Sequence, residues 1–238
     1  MKECKEIFKK AILEGRSSLI ISEARRICSL HHIPTPASFV SKSVEDALKA
    51  GSQIGFPVTL KIVSPQILHK TDVGGVALNI ADESSLKEAY QKMMKEVSKN
   101  KHDAEILGVV VEKMMPPSNE VIVGGIKDSQ FGPCVMFGMG GIFAEVYEDV
   151  SFRVAPIDNI DALNLMNDIK GSKILKGFRG EPAADTEAIV NILLNVSSLM
   201  IEHDEINQLD LNPIIVYPDS ACAVDSRIVM KQAKEESK

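Results

Sequence analysis

Four short, β-rich apolar segments follow one another between residues 106 and 157, and they limit the folds available to this chain. They read ILGVVVE, EVIVGGI, CVMFG and FRVAPI, and proline, glycine and aspartate turns separate them. Such a succession indicates mostly antiparallel strands. Because helices are interleaved with strands elsewhere, we expect an α+β fold rather than a doubly wound parallel sheet.

The patterning predicts two α+β lobes, residues 1–107 and 108–238. The first lobe is expected to hold a leading helix over residues 16–32, a helix with Ser43 as its N-cap, the strand VTLKIV with its antiparallel return GGVALNI, and a helix that Ser85 caps and that runs to Val97. The second is expected to hold the four strands above, helices over residues 159–169 and 185–203, and a hairpin formed by QLDLNPIIVY and ACAVDSRIVM.

Composition excludes several classes of protein. The net charge of −6 argues against non-specific binding to nucleic acid, and no window approaches 18 consecutive apolar residues, so we expect no membrane span. The N-terminal segment lacks the apolar stretch of a signal peptide. No pair among the four cysteines has metal-ligand or redox spacing, and we expect a reducing cytoplasm. The cysteines are Cys4, Cys28, Cys134 and Cys222.

Lys61 and His69 are the first candidates for chemistry. Lys61 alternates with Leu60 and Ile62 in VTLKIV, so it points to the opposite face and can present a cation to a phosphate. The alternative is an exposed strand lysine. His69 lies in the loop SPQILHKTDVGG, where a neutral imidazole can act as a phosphoryl nucleophile or can be an ordinary surface residue. Gly74 and Gly75 are predicted to let main-chain N–H groups approach an anion.

The segment VVVEKMMPPSNE suggests an adenine slot. Its strand ends in Glu112 and Lys113 and is followed by a Met-Met-Pro-Pro hinge, Met114 to Pro117. In this interpretation the hinge main chain pairs with the base edge, the methionines pack on its faces, and Glu120 reaches the ribose or phosphates. The alternative is a strand end followed by a turn.

The hairpin near the C-terminus predicts a magnesium site. Asp210 and Asn212 lie two residues apart and therefore share one strand face, and Asp225 is expected on the next strand opposite them. Oxygen donors of this kind suit Mg²⁺. Before this hairpin, a glycine loop at residues 138–141 precedes Glu145, Asp149 and Arg153, and Arg153 is predicted to clamp phosphates from a strand.

Together these motifs resemble the ATP-grasp superfamily and, more narrowly, the β subunits of the ADP-forming acyl-CoA synthetases, also called ADP-forming acetate–CoA ligases. The similar stretches are GFPVTLKIVSPQILHKTDVGGV, FGPCVMFGMGGIFAEVYEDVSFRVAPI, GFRGEPAAD and LDLNPIIV. The resemblance implies an ATP-grasp fold whose two lobes clasp ATP or ADP. The roles that it implies are phosphate binding by Lys61, adenine binding by residues 112–115 with Glu120 nearby, a phosphate clamp by Arg153, Mg²⁺ binding by Asp210, Asn212 and Asp225, and phosphoryl relay by His69.

The family reaction converts acyl-CoA, ADP and phosphate into a carboxylic acid, ATP and CoA. This chain contains neither a G-x-G-x-x-G fingerprint nor a separate CoA-binding domain, so the resemblance implies a CoA-binding α subunit and a heterotetramer. Two alternatives are a free-standing ATP-grasp ligase that joins a carboxylate to an amine, in which His69 is idle, and a non-catalytic ATP-grasp module related to protein acetyltransferases. The presence of Lys61, Arg153, Asn212 and Asp225 argues against the second.

Overall fold

A computed structural model describes residues 2–67, 69–141, 149–177 and 182–231 of the chain. The chain divides into two compact units. We call Pro36–Pro116 the continuous unit, and Met1–Thr35 together with Pro117–Lys238 the discontinuous unit. Among the described residues, no helix combines the length and the apolar character needed to cross a bilayer.

The continuous unit is a four-stranded antiparallel sheet with two helices packed on one face. The strand order is β1-β4-β2-β3. Its elements are β1 (Ser38–Ser41), α3 (Val44–Ile54), β2 (Val58–Val63), a short 3₁₀ helix (Thr71–Val73), β3 (Val76–Ile80), α4 (Glu83–Asn100) and β4 (Gly108–Lys113). Its core joins alternate residues of β2 and β4 to the apolar stripes of α3 and α4.

The discontinuous unit is built on a larger antiparallel sheet. Its order is β10-β8-β5-β6-β7, and β9 also pairs with β8. The strands are β5 (Asn119–Asp128), β6 (Gly132–Met139), β7 (Val150–Val154), β8 (Ile206–Val216), β9 (Ala221–Ala223) and β10 (Arg227–Met230). The described helices are α1 (Lys2–Leu13), α2 (Ile21–Leu30), α5 (Asn159–Asp168), α6 (Ser172–Leu175) and α7 (Thr186–Glu202).

Helix α7 covers one face of this sheet along the predicted apolar stripe. Ile189, Leu193, Val196 and Met200 have no exposed surface. A Cβ at Gly125 of β5 would lie 2.6 Å from Cγ of Met200, so a glycine is needed where the helix crosses the strand. This contact identifies the helix-covered face of the sheet. We call the opposite face, which carries the exposed side chains of Ile126 and Phe152, the open face.

Side-chain caps set several helix starts. Ser43 accepts a hydrogen bond from the Asp46 N–H, which confirms the predicted start of α3. For α4, Ser85 was predicted as the N-cap, but the helix begins about one turn earlier. Asp82 is the N-cap and accepts from the Ser85 N–H, because its carboxylate lies three residues before that donor.

The predicted boundary at residues 107 and 108 was also wrong. β4 pairs with both β1 and β2 and therefore belongs to the continuous unit. The predicted leading helix, residues 16–32, is shorter as α2, and it belongs with α1 to the core of the discontinuous unit. The Leu19 N–H donates to the Ile228 carbonyl at 3.0 Å, which fixes the first segment to β10. A change of composition near residue 104 could not reveal these long-range pairings.

Candidate functional site

Lys61 is buried and its ammonium group contacts a carboxylate. Its side chain is 8% exposed, that of Glu112 is 1% exposed, and Lys61 Nζ lies 2.8 Å from Glu112 Oε1. The alternative of an exposed strand lysine is therefore wrong. A lysine is rarely buried to this degree without an opposite charge, and this pair provides one.

Sheet geometry explains how the two side chains meet. Leu60 and Ile62 belong to the apolar core, so Lys61 points away from it, as the alternation predicted. Lys61 lies opposite Val110 and its neighbour Thr59 lies opposite Glu112, which places all four on the same face. The charged pair is therefore a diagonal cross-strand contact that the register of β2 and β4 determines.

The segment after Glu112 is held by hydrogen bonds within the continuous unit. The Lys113 N–H donates to the Ala37 carbonyl at 2.9 Å and the Met114 N–H donates to the Pro57 carbonyl at 3.1 Å. The Lys113 ammonium donates to the carbonyls of Gly55 and Phe56, at the C-terminal end of α3. Its charge is thus used to stabilise a helix end.

Met114 and Met115 differ in the groups that they leave for a ligand. The Thr59 hydroxyl donates to Sδ of Met114 at 3.0 Å, which orients that thioether. Among the described residues, no hydrogen bond satisfies the Met115 N–H. Since Pro116 and Pro117 carry no N–H, Met115 is the hinge position with a main-chain donor to offer to a base edge.

His69 is exposed on a loop whose flanks are anchored. Ile67 before it is 5% exposed and Val73 after it is 7% exposed, and both belong to the core. The Asn100 side chain donates to the Val73 carbonyl at 3.3 Å. The loop therefore presents the imidazole to solvent from fixed ends, which suits a group that must meet a substrate.

Gly74 and Gly75 have a different role from the predicted one. The Gly74 N–H donates to the Thr71 carbonyl at 3.2 Å and the Gly75 N–H donates to the Lys70 carbonyl at 2.7 Å, so both N–H groups are already paired within the loop. Gly74 has a φ of +74°, and a Cβ at Gly75 would lie 2.5 Å from the Ile62 side chain. Both glycines are required by the turn that closes the His69 loop.

The predicted metal ligands lie on or next to the open face of the larger sheet. Asp210 of β8 lies opposite Gly124 of β5. Asn212 follows two residues later, where the register shifts, and it points away from the core because Leu211 between them belongs to the core. Burial raises the pKa of Asp210, while Arg227 lowers it and the Asp225 carboxylate raises it. Asp225 does not lie on the strand opposite Asp210, where it was predicted: it lies in the connection between β9 and β10, two residues before Arg227, which is the cross-strand partner of Asp210. Two carboxylates and an amide oxygen form a donor set that fits Mg²⁺.

Arg227 is a residue that the sequence analysis missed. It is the direct cross-strand partner of Asp210, and it is exposed on the same face. In the sequence, Arg227 lies two residues after Asp225 in AVDSRI, which was the one available signal. That spacing could not show which residue of the neighbouring strand Arg227 faces, because the strand register was not known. The structure thus places one guanidinium beside the candidate metal ligands.

Arg153 does not share that face, which corrects the predicted phosphate clamp. It pairs across the sheet with Val135, which pairs with Gly125, and this row lies on the face that α7 covers. Its guanidinium contacts the Asp168 carboxylate at the end of α5. Strand alternation puts Phe152, rather than Arg153, on the face of Asp210.

The glycine loop packs against the start of β5. The Gly140 N–H donates to the Glu120 carbonyl at 2.8 Å, and a Cβ at Gly140 would lie 2.8 Å from that of Glu120. The Glu120 side chain is exposed beside this contact.

Asp149 accepts hydrogen bonds from the N–H groups of Lys170 and Gly171, both at 2.7 Å, so it positions a loop. The predicted candidate Glu145 lies outside the described residues.

Comparisons with known proteins agree over nearly the whole chain. A protein-family model described as an ATP-grasp domain matches residues 10–230. The β subunit of acetate–CoA ligase (ADP-forming) I from Pyrococcus furiosus is 47% identical over 96% of this chain and 98% of that protein. Acetate–CoA ligase (ADP-forming) I of Archaeoglobus fulgidus is 40% identical over 96% of this chain, which corresponds to 33% of that longer protein.

A solved structure provides a third comparison. It is an acetyl-coenzyme A synthetase 1 of Ca. Korarchaeum cryptofilum in complex with coenzyme A and Mg-AMPPCP, whose phosphohistidine segment points towards the nucleotide binding site. The match has a TM-score of 0.84 and 41% identity, and it covers 96% of this chain and 100% of the other.

Proposed function

Because this chain belongs to the ATP-grasp family and, within it, to the β subunits of the ADP-forming acetate–CoA ligases, we propose that it is the nucleotide-binding subunit of an ADP-forming acyl-CoA synthetase. The enzyme converts acyl-CoA, ADP and phosphate into a carboxylic acid, ATP and CoA. The observation that carries this proposal is the combination of the buried Lys61–Glu112 pair with an exposed His69 on an anchored loop of the same unit.

In this proposal Lys61 binds the nucleotide phosphates. Glu112 holds the ammonium group in one position, so little side-chain entropy is lost when a phosphate arrives. The Met115 N–H binds the adenine edge, the Met114 thioether packs on the ring, and Glu120 lies near the ribose. Asp210, Asn212 and Asp225 bind Mg²⁺, and Arg227 supplies positive charge on their face of the sheet in place of Arg153.

His69 acts as the nucleophile that carries the phosphoryl group. In the direction of ATP use, a ring nitrogen of His69 forms a bond to the γ-phosphorus while the bond to the bridging oxygen breaks. ADP leaves with that electron pair, and Lys61 and Arg227 stabilise the negative charge. Mg²⁺, when bound, neutralises charge on the same phosphates. An imidazole suits this role, because its unprotonated ring nitrogen carries the lone pair that attacks phosphorus.

A CoA-binding α subunit completes the enzyme. The Archaeoglobus relative carries a region like this chain as a third of its length, so two thirds of that protein has no counterpart here. We expect this missing part to be a separate chain and the assembly to be a heterotetramer.

All four cysteines are buried and none forms a disulfide, which supports a reducing cytoplasm.

The function is tested by assaying this chain alone and after reconstitution with its α subunit. We expect the chain alone to bind ADP in the presence of Mg²⁺ but to form no ATP from acyl-CoA and phosphate, and we expect the complex to form it. ATP formation by the isolated chain, or ADP release that depends on an amine, would contradict the subunit role. Absence of nucleotide binding in both samples would favour a non-catalytic module.

The two arginines of the larger sheet give a matched pair of variants. We expect Arg227→Gln to weaken ADP binding about tenfold, because it removes one charged hydrogen-bond donor from the open face. Arg153→Gln should change ADP affinity less than about twofold, because its guanidinium lies on the opposite face and contacts Asp168. Isothermal titration of both variants with Mg-ADP measures the difference. A larger loss of ADP affinity in Arg153→Gln than in Arg227→Gln would show that Arg153, as first predicted, is the phosphate clamp.

A further inference from the structure

Three side chains that nucleotide chemistry does not use meet at the ends of helices in the discontinuous unit. Cys4 lies in the first turn of α1, His31 directly follows α2, and His203 directly follows α7. Cys4 is 0% exposed and His203 is 1% exposed, while His31 is partly buried. We call these three residues the Cys–His–His cluster.

The distances within the cluster are those of potential metal ligands. Cys4 Sγ lies 3.9 Å from His31 Nε2, and His31 Nε2 lies 2.9 Å from His203 Nε2. One ligand atom from each residue lies within 4.8 Å of the other two. In a tetrahedral Zn²⁺ site, two nitrogen ligands, or a nitrogen and a sulfur ligand, lie roughly 3.3–3.6 Å from each other. Side-chain movements on the order of 1 Å would therefore bring these three atoms to the distances that a bound Zn²⁺ requires.

Hydrogen bonding alone leaves this cluster incompletely satisfied. The contact between the two Nε2 atoms needs one N–H and one lone pair. Nδ1 of His203 is buried and has no hydrogen-bond partner among the described residues. The Phe8 ring packs on the His203 ring with centroids 5.3 Å apart, which keeps water from that side. Nδ1 of His203 gains no partner from the cluster, and Nε2 is the ring nitrogen that both histidines can offer to a shared ligand.

From this geometry we propose that Cys4, His31 and His203 bind one Zn²⁺ ion at a structural site that is independent of the nucleotide. A thiolate and two imidazoles form a zinc ligand set, whereas Mg²⁺ prefers oxygen. Each histidine binds through one ring nitrogen and keeps its proton on the other. The Cys4 thiol releases its proton to solvent as its sulfur bonds to the metal, and water from the partly exposed side of His31 is the fourth ligand.

The surrounding charges are compatible with a bound cation. Metal binding needs a lone pair on one nitrogen of each ring, which a neutral imidazole offers. Around His203 the carboxylates of Glu205 and Glu202 favour positive charge, and Lys127 opposes it. The ion would connect α1 to the ends of α2 and α7, and would thereby stabilise the N-terminal helix.

Metal titration of the full chain, after removal of metals with a chelator, tests the proposal. Mg²⁺ is kept in excess so that oxygen-rich sites are filled, and Co²⁺ is the spectroscopic probe. We expect one Co²⁺ per chain with a thiolate-to-cobalt charge-transfer band. Zn²⁺ at a hundredfold excess over its Kd should raise Tm by roughly 5–10 °C.

Variants assign the effect to the cluster. Cys4→Ser and His31→Gln should lose the charge-transfer band and the Zn²⁺-induced rise in Tm. Cys28→Ser is the matched control, because Cys28 is equally buried, lies on α2 and is outside the cluster. His31→Gln, at a partly exposed position, keeps the test valid if Cys4→Ser does not fold. No cobalt–thiolate band in the wild type, or the same rise in Tm in both variants, would overturn the proposal.

Discussion

Lys61→Met should lower the free energy of unfolding by about 3–5 kcal/mol, because it leaves the buried Glu112 carboxylate without the ammonium group that it contacts. The same variant should weaken ADP binding about 10- to 100-fold, since a charge-assisted hydrogen bond to phosphate is lost. Denaturant unfolding measures the first effect and isothermal titration with Mg-ADP measures the second. A single variant cannot separate the two effects, because partial unfolding also reduces binding.

The double variant Lys61→Met/Glu112→Met separates folding from binding. Replacing both members of a buried pair by apolar side chains of similar size removes the isolated charge, so we expect most of the stability to return. ADP binding should stay weak while binding of adenosine, which has no phosphate, is unchanged. If the double variant is stable and binds ADP as tightly as the wild type, Lys61 has no role in phosphate binding.

His69→Ala should abolish acyl-CoA-dependent ATP formation by the reconstituted enzyme, with a loss of at least about 10³-fold, because the nucleophile is removed. The free energy of unfolding should change by less than about 0.5 kcal/mol, since the side chain is exposed. ADP affinity should also be nearly unchanged. Coupled-assay kinetics and titration with Mg-ADP measure these quantities.

His102→Ala is the control for this experiment. Its side chain is 80% exposed in the same unit, and nothing in the proposed mechanism uses it. With ATP labelled at the γ-phosphate, the wild type and His102→Ala should acquire an acid-labile label that His69→Ala lacks. Normal turnover by His69→Ala, or label on another residue of this chain, would show that the phosphoryl group does not pass through His69.

Much of the fold followed from local patterns. The α+β class, the antiparallel strands and the capped start of α3 were predicted correctly, and the ATP-grasp fold is confirmed by the family match over residues 10–230. Helix α1 was not predicted, although Cys4, Phe8 and Ala11 form a buried stripe along it. The predicted lobe boundary was wrong because β4 pairs with β2 and β1, which lie about 50 and 70 residues earlier in the chain.

The candidate site was predictable only in part. Alternation correctly put Lys61 opposite the core, and placed Asp210 and Asn212 on one face, because strand periodicity is a property of adjacent residues. The prediction that Arg153 is the phosphate clamp failed. The face of the sheet on which Arg153 lies depends on how β7 aligns with β6 and on which face α7 covers. Arg227 became visible only when the β8–β10 register was known.

By itself, the sequence determined the types of element, the inward and outward direction of strand residues and the family, because these depend on local periodicity and on motifs of contiguous residues. Tertiary structure alone decided the contact of Lys61 with Glu112, the face that carries Arg227, and the meeting of Cys4 with His31 and His203. The cysteine spacing gave no sign of a metal site, because its partners are 27 and 199 residues away. Contacts between remote segments arise from sheet order and helix packing, which no local window of sequence contains.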